Sequence, residues 1–138
     1  METIMRIFLA CLTAATIIGG QATAQEPSEG EALFERHCAS CHGAAAEGDG
    51  PLSGALLITP PDLTALSARN DGIFPMQRVI ERIDGQDPLA SHGSPMPVFG
   101  PFFQGVMDVP MKADSGQPVL VSQPIADIVA YLRSIQMP

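Results

Sequence analysis

Basic residues, cysteines and strand signals are all scarce in this chain. Only 7 of its 138 residues are Lys or Arg, against 15 Asp and Glu, for a formal charge of −8. Such a balance argues against nucleic acid or anionic lipid as a target. It favours partners with a basic docking face. The chain has one Tyr and no Trp. It shows no nucleophile–base constellation, no His-x-x-Glu-His-like metal motif and no phosphate-cradling loop, so an enzyme active site is not indicated. Asp49, Asp62, Asp71 and Asp87 fall in turn-rich stretches, where solvated turn residues are expected. The apolar stretch 7–18 is too short for a bilayer-spanning helix, which needs roughly 20 residues.

That short apolar stretch has another reading. Arg6 precedes it and Ala22-Thr23-Ala24 follows it, the order of an export signal with a small-residue cleavage site. Residues 1–24 are therefore expected to be a cleaved signal peptide. Residues 25–138 would form one domain, periplasmic or otherwise exported, with no stable membrane insertion. An uncleaved anchor is the alternative. A lipoprotein reading fails, because too little apolar sequence precedes Cys11. Cleavage would remove Glu2, Arg6 and Cys11, which leaves the charge at −8 and two cysteines. No thiol would then be spare for the disulfide framework common in exported domains, so a small domain needs another staple.

Both remaining cysteines lie in Cys38-Ala39-Ser40-Cys41-His42, the Cys-x-x-Cys-His attachment sequence of a c-type haem. The two thiols are spaced to add across the two vinyl groups of the ring. His42 then follows as an axial iron ligand. The motif occurs once, which implies one covalent haem c. Three other readings of a Cys-x-x-Cys pair compete. Zinc would need further ligands, and only His37, His92 and carboxylates remain. A thioredoxin-like pair would want a βαβ context. A disulfide across two residues would close a strained loop.

The rest of the chain reads as helices joined by long loops. Residues 26–36 form a first helix, with Ser28 and Glu31 spaced as a capping box. Residues 43–51 form a Gly-rich loop, and the apolar residues 52–58 could line a pocket. Pro60-Pro61-Asp62 opens a short helix over 63–68. Residues 75–84 form a better helix, with Pro75 in its first turn, Gly85 as its cap, and Val79, Ile80 and Ile83 at helical spacing. Residues 105–123 read as loop, with Val119-Leu120-Val121 at most briefly extended. Residues 124–136 form the clearest helix, capped by Ser122 or Gln123. Ile125, Ile128, Val129 and Leu132 share one face of it.

These residues resemble the class I cytochrome c family over nearly all of residues 25–138. The likeness rests on Cys38 to His42, on Met96-Pro97, and on Gly30, Phe34 and Tyr131-Leu132 in the terminal helices. It implies an all-α domain in which the N- and C-terminal helices cross, with the haem in a loop-lined pocket. It also implies that Met96, between Pro95 and Pro97, is the distal iron ligand. Met107, Met111 and His92 are the alternatives, while Met76 and Met137 lie on or beside helices. The family's proline carbonyl, which accepts a hydrogen bond from the proximal histidine, matches Pro51 by position; a plain turn proline is the competing reading. With no Trp, a propionate-binding indole is missing. Arg69, Arg78 or Arg82 could serve instead, although surface arginine is the default. His37 is expected at the surface. Residues 107–118 look like extra length before the last helix.

Three functions follow. The first is an electron carrier with one haem c and His/Met ligation, shuttling electrons between exported redox partner proteins. The second is a dedicated cytochrome subunit of a larger oxidoreductase, with residues 107–118 as the docking suspect. The third is a haem enzyme or sensor with an open iron site.

Overall fold

A computed structural model describes residues 25–87, 96–107 and 109–138; the expected signal peptide at 1–24 and His92 lie outside them. Four helices and one hairpin make up the described chain: α1 Pro27–His37, α2 Ala39–His42, α3 Met76–Asp84, β1 Val109–Lys112, β2 Pro118–Val121 and α4 Gln123–Ser134. The fold is mostly helical. The hairpin corrects the reading of residues 105–123 as loop.

Helix α1 begins one step later than expected and without the capping box. Glu26 is its N-cap and Pro27 opens it, where the missing proline N–H costs nothing. Ser28 turns its hydroxyl back to the Glu26 carboxylate instead, donating at 3.4 Å. The Glu26 N–H is held at long range by Asp127 Oδ1 on α4, at 2.8 Å. That same oxygen accepts from Gln123 Nε2 at 2.7 Å, so the buried Asp127 is well supplied with donors.

The contact between α1 and α4 forms the heart of the core. Phe34 is fully buried and its ring lies 5.3 Å from that of Tyr131. Gly30 makes the approach possible: a Cβ there would overlap the Asp127 carbonyl oxygen and sit 2.9 Å from the Tyr131 Cβ. Ile125, Ile128, Val129 and Leu132 are buried on α4 as their spacing predicts.

Helix α3 ends at Gly85 as expected and buries Met76, Val79, Ile80 and Ile83. Met76 is thus a core residue. The hairpin clamps the start of α3: Met76 N–H donates to Asp114 Oδ1 at 3.0 Å. Val109 pairs with Val121 and Met111 with Val119, and Val109, Met111 and Val121 are buried. Pro110, Lys112 and Leu120 face outward. The hairpin is therefore part of the core and not a surface insertion.

No α-helix forms over 63–68; that stretch is a turn leading into a 3-10 turn, Ala68–Asn70. Its backbone is held from a distance. Gln136 accepts from Ser67 N at 2.8 Å and donates to the Leu63 and Leu132 carbonyls at 2.7 Å. Met137 N–H donates to the Thr64 carbonyl at 2.9 Å. Among the described residues, no helix is long and apolar enough to cross a membrane.

Candidate functional site

The Cys-x-x-Cys-His segment folds as one helical turn, α2, directly after α1. A turn this short leaves its carbonyls unpaired unless the following chain supplies donors. Residues 43–52 do so. Gly48 N–H donates to the His42 carbonyl at 2.8 Å, Gly50 N–H to Cys41 at 3.2 Å and Leu52 N–H to Ser40 at 2.9 Å. Gly50 passes so close that a Cβ would lie 2.6 Å from both the Cys41 and Ser40 carbonyl oxygens. The Gly-rich loop anticipated at 43–51 thus wraps the turn by its backbone. The turn after it is tied in as well, since Leu63 N–H donates to the Ala46 carbonyl at 2.7 Å.

Cys38 and Cys41 are both free thiols, half-buried. Burial, and secondarily the charge of Cys41, push Cys38 up to about 11, so its sulfur is protonated near neutral pH. His42 is buried. Burial lowers its pKa, and the Pro61 backbone partly opposes this. Its Nδ1 is nonetheless buried with no partner that meets hydrogen-bond geometry. Pro51 is exposed, and the backbone of Pro61 also lies near the imidazole.

Met96 is half-buried and packs against the core. The chain after it is pinned to the end of α3: Phe99 N–H donates to the Ile83 carbonyl at 2.9 Å. Met111 is buried on β1 and Met107 is exposed. His37 is not a free surface residue. It is half-buried, edge-on to Phe102 and Phe103 with ring centroids 5.0 and 5.3 Å away. The aromatic run 99–103 carried that signal in the sequence.

The arginines proposed for propionates have local engagements. Arg82 pairs with Asp87 at 3.1 Å, and Arg69 lies 3.7 Å from Asp62; Arg78 is exposed. Asp87 is buried, contrary to its reading as a solvated turn residue. Asp62 Oδ1 accepts from Thr64 N and Oγ1 at 2.8 and 2.6 Å.

A covalently attached haem fits this arrangement. Two unpaired thiols flank one helical turn, a buried histidine follows, and Leu52, Leu57 and Ile58 stand exposed in the next segment. Among the described residues, no three of His, Cys, Asp and Glu cluster as a separate metal site. Comparison with curated proteins and with solved structures found no match. The family model for cytochrome c matches residues 27–136, which runs from the first residue of α1 past the end of α4. The chain belongs to the cytochrome c family, whose cofactor is a covalently bound haem c and whose general role is haem-based electron transfer.

Proposed function

We propose that the chain is a single-electron carrier holding one haem c, with Cys38 and Cys41 as thioether anchors and His42 and Met96 as axial iron ligands. The observation that carries this is the buried His42 on a helical turn whose every flank is fixed by backbone bonds from residues 43–52. When bound, the haem supplies a reversible Fe(III)/Fe(II) couple. The protein's part is to anchor, orient and tune. Backbone bonds to residues 40–42 hold the imidazole in place. A backbone carbonyl near the ring, at Pro51 or Pro61, would fix the orientation of a ligating histidine by accepting from its second N–H. Met96 offers a soft, neutral sulfur, which favours the reduced state and raises the potential. Leu52, Leu57 and Ile58 are the apolar side chains we assign to covering the ring. This reading makes the protein a carrier and not an enzyme. It further assigns residues 25–138 to the mature domain, exported after cleavage at 1–24, with redox partner proteins that dock through basic faces.

The visible spectrum of the purified ferric protein tests the ligands. Low-spin haem with the weak long-wavelength band of iron–thioether ligation is expected. Met96→Ala should abolish that band and open the ferrous iron to carbon monoxide. A variant that keeps the band would move the ligand to another residue. A wild-type protein that binds carbon monoxide readily would overturn the carrier reading in favour of an open-site enzyme or sensor.

One observation favours the subunit as a second reading. Phe102, Val106 and Met107 are exposed on one segment, and exposed apolar residues grouped together mark contact surfaces. Gel filtration of native extract, followed by haem absorbance, separates the two at about the monomer size or well above it.

A further inference from the structure

A cleft of about 250 Å³ opens where the end of α3, the chain at 100–107 and the start of α4 meet. Asp84 and Gln86 come from the end of α3, Phe103, Gln104 and Met107 from the chain after Met96, and Ser122 from the N-cap of α4. Its chemistry is one-sided. Asp84 brings a carboxylate, Gln86 and Gln104 bring amide oxygens, and Ser122 brings a hydroxyl. Among the described residues, Lys and Arg are absent from the lining. Phe103 and Met107 supply an apolar wall.

The cleft carries negative charge without a cation beside it among the described residues. The Asp84 carboxylate is half-buried and, among the described residues, accepts from Gln86 N–H and Nε2 at 2.8 Å each. Burial, and the nearby Glu81 charge, raise its pKa, which an approaching cation would relieve. The chain as a whole carries −8, so long-range attraction favours the same kind of visitor.

We propose that this cleft receives an arginine side chain of a redox partner, the guanidinium meeting Asp84 and the amide oxygens while its stem lies on Phe103 and Met107. This rests on the electron-carrier reading for the kind of partner, and it names the anchoring contact on that partner's basic face. Arginine suits the cleft better than lysine. Its planar fork offers five donors to several oxygens and its weakly hydrated face stacks on aromatic rings. A compact ammonium must shed tightly held water to enter.

The reduced holo-protein, titrated with N-acetyl-arginine amide and followed by amide NMR shifts, tests the proposal. Saturable shifts at Gln86, Gln104 and Ser122 are expected. N-acetyl-citrulline amide, the neutral isostere, should leave them still, and N-acetyl-lysine amide should bind more weakly than arginine. Asp84→Asn should weaken arginine binding roughly tenfold. Gln104→Glu, at an exposed position, should tighten it, which keeps the test alive if the Asp84 variant folds poorly. Equal binding of the citrulline compound, stronger binding of the lysine compound, or an unchanged arginine affinity in both variants would overturn the assignment. The iron–thioether band should stay as in the wild type in both variants. A cleft that fails therefore leaves the carrier reading standing, and loss of that band in the unsubstituted protein would strike the carrier reading alone.

Discussion

The paired terminal helices and the loop around the Cys38–His42 turn are held together by different forces. Between α1 and α4 the contacts are apolar and closed. Phe34, Ile125, Ile128 and Val129 are buried, and the buried carboxylate there, Asp127, is met by Glu26 N–H and Gln123 Nε2. Around the turn the contacts are backbone to backbone, while Leu52, Leu57 and Ile58 face outward and His42 Nδ1 lacks a partner. Apolar burial supplies most folding free energy, because it scales with area. Backbone hydrogen bonds contribute less each but fix direction. The helix pair therefore carries stability, and the loop carries geometry for the attached group.

The sharpest way to break this comparison is Phe34→Ala. Removing a fully buried ring should cost about 3–5 kcal/mol, read from the shift in denaturant midpoint at unchanged slope. The visible spectrum of the molecules that remain folded should not change, since Phe34 belongs to the frame. A spectral change with little loss of stability would reverse the roles assigned to the two regions.

Gln136 joins the two regions, and its removal has a smaller expected effect. Its side chain spans from α4's carbonyl at Leu132 to Leu63 and Ser67, the turn that carries the Pro61 backbone to His42. Gln136→Ala leaves those backbone groups without their partner, at about 1–3 kcal/mol. Hydrogen exchange should quicken at Ser67 and Leu63 well before the amides of α1 and α4 respond. Uniform acceleration across the chain would show that the turn and the helices open as one unit.

This division also explains what the sequence could disclose. The face of α4 was legible, because Ile125, Ile128, Val129 and Leu132 repeat at the helical period and burial follows period. Cys38, Cys41 and His42 were legible because their chemistry is local. The hairpin was hidden by Pro110, Gly116 and Pro118, which read as loop punctuation. In the structure Pro110 and Pro118 occupy edge positions of a two-stranded sheet, where a missing donor is tolerated. The capping box at Ser28 failed because Pro27 already supplied a start. That the Pro61 backbone comes near His42 was beyond local reading. It depends on Gln136 and Ala46 gripping the turn from far along the chain, and no spacing rule encodes such a grip.

The smallest effect concerns acid. Asp62 anchors the same turn, and its pKa is held below the ordinary carboxylate value chiefly by the Thr64 hydroxyl, with the Thr64 N–H and Arg69 adding to it. A carboxylate depressed in the folded state stabilises fully above its unfolded pKa of about 3.9. That contribution is lost as pH falls from there through the lower folded value. Asp62→Asn should therefore flatten the stability profile only below about pH 4 and leave it parallel to the wild type near neutrality. Because Arg69 is half exposed and 3.7 Å away, its share should vanish in high salt. The Thr64 share is short-ranged and should persist. A profile flattened by salt as fully as by the substitution would make Arg69, and not Thr64, the group that sets the turn's charge.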